Sequence, residues 1–160
     1  MAVLREGGFA FRYFEHVPLK TVAESQGVRD GMLPVDAGGG HIKNLYLRDK
    51  KKRNYLVVVR EDTEVDLKSL SERLGAARFS FGSADRLEEK LGVRPGAVTP
   101  LAMVTGVKTD VRLFLDESLI NCAEIYMHPL VNDRTVGMSA AELERFLASI
   151  DCPYEWVKIG

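Results

Sequence analysis

Hydrophobic and polar positions alternate most clearly over residues 41–60. His41-Ile-Lys-Asn-Leu-Tyr-Leu-Arg48 leads into the polar run Asp49-Lys-Lys-Lys-Arg-Asn54, and then into Tyr55-Leu-Val-Val-Val-Arg60. Two β-rich runs around a polar turn predict a hairpin. Successive strand side chains point to opposite faces, so Lys43, Leu45 and Leu47 share one face and Ile42, Asn44 and Tyr46 the other. Phe9-Ala-Phe-Arg-Tyr-Phe-Glu-His16 also reads as a strand, as do Val111–Leu115 and Glu124–His128. Val157 and Ile159 are candidates for a final strand.

Helical signals lie between these runs. Thr21-Val-Ala-Glu24 has the spacing of a capping box, with Gly27 placed to end a short helix. Asp66 can cap a helix carrying Leu67, Leu70 and Leu74, stopped by Gly75. Ser83 can cap another, carrying Leu87 and Leu91 and stopped by Gly92. Ser139-Ala-Ala-Glu142 is a second capping box, opening a helix that turns Leu143, Phe146, Leu147 and Ile150 inward. Residues 30–40 and 94–100 are loops by composition. The helices are short and do not alternate regularly with strands. That argues against a doubly wound parallel sheet and for an α+β fold of hairpins packed by helices.

Composition narrows the class. The chain has 160 residues, 46% of them hydrophobic and 28% charged, which suits one globular domain over 1–160. It could stand alone or be excised from a longer protein. Its 22 Lys+Arg against 23 Asp+Glu leave a net charge of −1, excluding a generally basic nucleic-acid coat but not one local basic patch. Two cysteines, Cys122 and Cys152, cannot frame a disulfide-rich secreted module. The N-terminus lacks the apolar stretch of a signal peptide, and no window reaches the ~18 apolar residues of a membrane helix. These features predict a soluble, cytoplasmic protein with no membrane partner.

Several chemistries lack their motifs. There is no Gly-x-Ser-x-Gly elbow. Gly38-Gly39-Gly40-His41-Ile42-Lys43 lacks the ending of a P-loop, and no Gly-x-Gly-x-x-Gly opens a helix. His16, His41 and His128 show no metal-ligand spacing with either cysteine. Neither a metal nor a cofactor is expected.

Three features and one charge run remain. Lys43 is aligned with two leucines on a strand face. It is either a strand-end lysine reaching water, which composition alone favours, or a cation at the mouth of a pocket facing a phosphate or a developing oxyanion. Gly96-Ala97-Val98-Thr99-Pro100 is either a plain connection or a loop whose glycine lets the backbone approach a ligand. His128, before Pro129, is either a hydrogen-bonded core-edge residue or a site residue. The run Arg48, Lys50, Lys51, Lys52, Arg53 is either a solvated turn or a contact for an RNA backbone.

These features occur together, in order, with Lys43-Asn-Leu-Tyr-Leu-Arg-Asp-Lys-Lys50, Leu91-Gly-Val-Arg-Pro-Gly-Ala-Val-Thr-Pro-Leu101, Leu115-Asp116 and His128-Pro-Leu-Val-Asn-Asp-Arg-Thr135. In this the chain resembles the prolyl-tRNA-synthetase-associated, YbaK-type editing domains, nearest to the alanyl-tRNA(Pro) deacylase branch. It departs from them at His16-Val17-Pro18, where the family often has His-Pro-Pro, and in a longer loop before Lys43. The resemblance implies a mixed, mostly antiparallel, barrel-like sheet with helices outside. It implies hydrolysis of the ester of mischarged alanyl-tRNA(Pro), with prolyl-tRNA refused by pocket size. The alternatives are a deacylase for another small residue, such as cysteinyl-tRNA(Pro), and a non-catalytic module that binds tRNA or a synthetase. By the same resemblance Lys43 is the essential lysine, and Asn44 lines the pocket beside it. Gly96, Ala97, Val98, Thr99 and Pro100 form the substrate loop, and His128 sits at the pocket edge. The implied partners are the acceptor end of tRNA(Pro) and prolyl-tRNA synthetase, in trans or fused.

Overall fold

The computed structural model describes residues 12–15, 39–93, 98–127 and 134–159. Within them eight strands form one sheet: β1 (Arg12–Glu15), β2 (Gly39–Asp49), β3 (Asn54–Arg60), β4 (Phe79–Phe81), β5 (Val111–Asp116), β6 (Glu124–Met127), β7 (Arg134–Met138) and β8 (Tyr154–Val157). Four helices accompany them: α1 (Leu67–Arg73), α2 (Ala84–Leu91), α3 (Met103–Gly106) and α4 (Ala140–Ser149). The strand order is β1-β7-β6-β2-β3-β5-β8, with β4 added on β2. Pairings β1–β7, β2–β3, β2–β4 and β6–β7 are antiparallel, and β2–β6, β3–β5 and β5–β8 are parallel. This is the α+β fold that the pattern of the sequence predicts, with the mixed sheet that the family resemblance implies.

The predicted hairpin pairs Ile42 with Arg60 through Arg48 with Asn54. Its turn is built on Asp49, which is buried. The Asp49 carboxylate accepts from the backbone N–H of Lys51 (3.0 Å), the backbone N–H of Arg53 (2.9 Å), Arg53 Nε (2.8 Å) and the Tyr55 hydroxyl (3.2 Å). Burial alone would raise its pKa. The Arg53 and Ala77 hydrogen bonds and the Arg53 charge outweigh that and hold it below the usual carboxylate value. β3 lies between two neighbours and reads as a continuous apolar run because both its faces are covered.

The main core takes Tyr46, Leu56 and Val58 from the hairpin, Leu113 and Leu115 from β5, Ile125 and Met127 from β6, and Leu143, Phe146 and Leu147 from α4. A smaller cluster on the opposite face gathers Leu47, Tyr55, Val57, Val59, Leu70 and Phe79. Fully burying such a side chain contributes about 1.5–3 kcal/mol. The three described caps sit where the sequence puts them: Asp66, Ser83 and Ser139 each accept a backbone N–H of the first helical turn. Gly92 closes α2 in the left-handed conformation, φ 70°.

Some expectations need correction. Gly39 and Gly40 belong to β2 rather than to a loop, because they pair with Glu124 and Ile125. β4, β7 and α3 had no clear signal in the sequence. The Thr21–Gly27 helix and the ends of the Phe9–His16 strand lie outside the described residues.

Candidate functional site

β2 is the element around which the candidate residues gather, and its edges explain why. One edge pairs with β3 from Ile42 to Arg48. The other edge pairs with β6 only over Gly39–His41 and with β4 only over Leu47–Asp49. The Gly82 N–H extends the β4 side by one bond, to the Tyr46 carbonyl at 3.0 Å. Between them, at Ile42–Leu45, no strand among the described residues covers this edge. Backbone groups alternate along an antiparallel strand. The Tyr46 carbonyl points to this edge, and the His41 carbonyl, bonded by the Glu61 N–H at 2.9 Å, points to the other. The N–H and C=O of Asn44 therefore face the notch.

Lys43 and Asn44 stand at its centre, on opposite faces. Asn44 lies on the main-core face, half-buried. Its Nδ2 donates to the Val98 carbonyl at 2.9 Å and ties the 98–100 segment to the strand. Its Oδ1 is buried and has no hydrogen-bond partner among the described residues, a state that buried acceptors seldom keep. Thr99 is fully buried, and its hydroxyl accepts the Leu101 N–H at 3.3 Å, capping a 3-10 turn over Pro100–Ala102. Thr99 and Pro100 thus shape the loop from inside the core, whereas Val98 presents its carbonyl to Asn44. Gly96 and Ala97 lie outside the described residues.

Lys43 is half-buried and directly opposite Val59, on the face of the smaller apolar cluster. Two residues before it on that face is His41, whose ring stacks on Tyr126 with centroids 4.9 Å apart. The Tyr126 hydroxyl donates to Glu124 Oε1 at 2.5 Å, and both residues are buried. Gly137 makes room for them, because a Cβ there would lie 2.7 Å from Glu124 Cδ and 2.8 Å from Tyr126 Cε1. His41, Glu124 and Tyr126 are not among the site residues that the sequence offers. The signal was present: Glu124 and Tyr126 alternate with the apolar Ile125 and Met127 along β6. His128 lies outside the described residues.

The basic run divides. Arg53 is committed to Asp49. Arg48 is half-buried, with its Nε buried and without a hydrogen-bond partner among the described residues. Only Lys50, Lys51 and Lys52 are exposed on the turn. A hollow of about 480 Å³ is lined in part by Lys52, Arg53, Lys90 and Arg112, with Asp110 as its one carboxylate.

Comparison with known proteins bears on this site. The model of the aminoacyl-tRNA editing domain matches residues 16–146. The prolyl-tRNA editing protein ProX of Acetoanaerobium sticklandii is 32% identical over 148 residues, covering 92% of this chain and 87% of that protein. Prolyl-tRNA synthetase associated domain-containing protein 1 of Danio rerio is 44% identical over 107 residues, covering 66% of this chain and 58% of its own length. A solved structure described as a candidate trans-editing enzyme for prolyl tRNA synthetase superposes with a TM-score of 0.68 at 23% identity, covering 99% of this chain and 94% of that one. At that identity it speaks for the fold. No helix among the described residues is long and apolar enough to cross a membrane.

Proposed function

The chain belongs to the aminoacyl-tRNA editing domain family, and from that premise we propose that it is a deacylase of mischarged tRNA, with alanine on proline tRNA as its substrate. The observation that carries this reading is the notch in β2. There, at a strand edge that no described strand covers, Lys43 stands on one face, the Asn44 Oδ1, without a hydrogen-bond partner among the described residues, on the other, and the Asn44 N–H points outward between them.

Such a site needs few groups. An aminoacyl ester is already activated, so no strong nucleophile is required. Water adds to the carbonyl carbon, the bond to the ribose oxygen breaks, and that oxygen takes up the proton which water releases. The Lys43 ammonium holds the terminal phosphate or the charge that develops on the carbonyl oxygen. The Asn44 N–H is a second donor at the same edge, and Asn44 Oδ1 accepts from the substrate's ammonium or ribose hydroxyl. Preorganised donors and positioning each supply several kcal/mol in favourable cases. Lys43 is not the base in this scheme; the vicinal hydroxyl of the ribose assists the proton transfer. The loop from Gly96 to Pro100 and His128 complete the pocket.

Selectivity is a matter of size. Alanine is smaller than proline, so a tight pocket admits one and refuses the other by overlap, as the second sieve of an editing pair does. The chain acts as one editing domain in the cytoplasm, on the acceptor end of tRNA(Pro) and beside prolyl-tRNA synthetase.

Single-turnover deacylation of alanyl-, cysteinyl- and prolyl-tRNA(Pro) tests this. The expected result is rapid loss of alanine, sparing of proline, and a fall of about 10²- to 10³-fold in rate for Lys43→Ala. A folded Lys43→Ala protein with full activity removes the role of the lysine. Preference for cysteinyl-tRNA replaces the substrate. Inertness toward all three leaves a binding module.

A further inference from the structure

The notch has a wall that deacylation does not use. Phe81, the last residue of β4, is 65% exposed. Phe79, two residues earlier on the same face, is buried edge-on against Tyr55 at 4.9 Å. The core therefore uses one of the two rings and leaves the other in solvent. Phe81 stands opposite Leu47 in the β2–β4 register. Cross-strand partners share a face, so the ring lies on the face of Lys43, Leu45 and Leu47. Lys43 is four residues from Leu47, about 13 Å along the strand.

The backbone that carries the ring is held on β2. The next residue, Gly82, donates its N–H to the Tyr46 carbonyl at 3.0 Å. A Cβ on Gly82 would lie 2.2 Å from the Tyr46 ring, so the chain passes flat over that ring where only glycine fits. Cations stand at the other end of β4, three positions or about 10 Å along the strand from Phe81. Lys50 donates its backbone N–H to the Arg78 carbonyl at 3.1 Å, and Lys50, Lys51 and Arg78 are all exposed.

A solvent-facing aromatic ring with exposed cations further along the same strand has the composition of a single-stranded RNA platform: base on ring, phosphates on ammonium and guanidinium groups. A lone ring is too small an apolar patch to anchor a folded protein partner. We infer that Phe81 stacks a base of the unpaired 3′ end of the tRNA, upstream of the terminal nucleoside whose ester lies at Lys43. The 13 Å or so between the ring and the lysine is bridged by a short run of unstacked nucleotides. The inference rests on the placing of the ester at Lys43 proposed above, and it adds the direction in which the RNA leaves the site.

The test compares Phe81→Ala and Phe81→Trp on alanyl-tRNA(Pro) and on alanyl-adenosine, which has no upstream base. Base-on-ring stacking of ordinary strength makes KM for the tRNA rise about 5- to 100-fold in Phe81→Ala, with kcat little changed. Phe81→Trp restores KM, and the defect disappears on alanyl-adenosine. An unchanged KM for the tRNA, or an equal loss on alanyl-adenosine, overturns the inference. Fluorescence titration of an uncharged RNA oligonucleotide ending in CCA separates this from the enzymatic reading. If the wild type hydrolyses no mischarged tRNA but Phe81→Ala still weakens oligonucleotide binding, the platform stands and the deacylase reading fails. If wild type and Phe81→Ala bind the oligonucleotide equally, the platform fails whatever the activity.

Discussion

Replacing Asn44 by alanine tests whether the 98–100 segment must be tied to β2. The amide makes one half-buried bond, Nδ2 to the Val98 carbonyl at 2.9 Å, across 54 residues of sequence. A neutral bond of this kind contributes about 1 kcal/mol. Water can reach the half-buried Val98 carbonyl once the amide is gone, so the larger cost of an orphaned acceptor is avoided. A domain of ordinary stability, about 5–15 kcal/mol, stays folded after that loss. Activity should respond far more than stability, since misplacing a reacting group by about 1 Å costs on the order of 10²-fold in rate. Asn44→Ala also removes Oδ1, the acceptor assigned to the substrate. Asn44→Asp keeps the size but sets a carboxylate oxygen against the Val98 carbonyl, so its loss should equal or exceed that of alanine. Urea unfolding measures the first quantity and single-turnover deacylation the second. A near-wild-type rate in Asn44→Ala would refute the tether, as would a rate loss explained by the fraction unfolded.

Three further outcomes are expected. Asp49→Asn should destabilise the hairpin by about 2–3 kcal/mol, because the carboxylate loses charge-assisted bonds from Arg53 and part of the set at Tyr55 and Ala77. Its folded pKa is depressed, so this stability is present above the ordinary carboxylate range and is lost as the pH falls through the lowered value; chemical denaturation across acidic pH should show the wild type and Asp49→Asn converging. Gly137→Ala should lower the thermal midpoint, since its Cβ meets Glu124 and Tyr126 inside 3.0 Å and overpacking of this sort costs about 1–3 kcal/mol; an unmoved midpoint would mean that these side chains give way freely. Changing Lys50, Lys51 and Lys52 together to glutamate should raise KM for tRNA and flatten its dependence on salt, and kinetics at several salt concentrations that match the wild type would make the turn a solvated one.

Where the determinant is local, the amino-acid sequence speaks clearly. The hairpin was legible because alternation and the Asp49–Asn54 turn lie in one short stretch. The helices over 67–73, 84–91 and 140–149 were legible because Asp66, Ser83 and Ser139 satisfy backbone donors only a few residues away. β4 and β7 were not. Phe79–Phe81 is too short for a pattern, and it is a strand only because Leu47–Asp49 lie alongside. β7 contains Gly137, a poor strand former by itself, which is there because Glu124 and Tyr126 from β6 need its vacant side. These strands are defined by their neighbours.

The same distinction runs through the candidate site. Lys43 attracts notice because it shares a face with leucines, which is a local fact. That Asn44 reaches Val98 is a contact across 54 residues, and no periodicity contains it. The notch is less local still. It exists because β2 is eleven residues long, while on one edge it meets β6 at Gly39–His41 and β4 at Leu47–Asp49 and no described strand between them. Unpaired strand edges are liabilities that proteins usually cover or interrupt. Here the uncovered stretch is short, is bounded by pairing at both ends, and carries a lysine, so it cannot readily recruit another strand. On the function proposed above, it offers a small polar ester a backbone donor beside a cation. A site of this kind depends on where the pairing of described strands stops, and sequence patterns, which report the pairing that does form, pass over it.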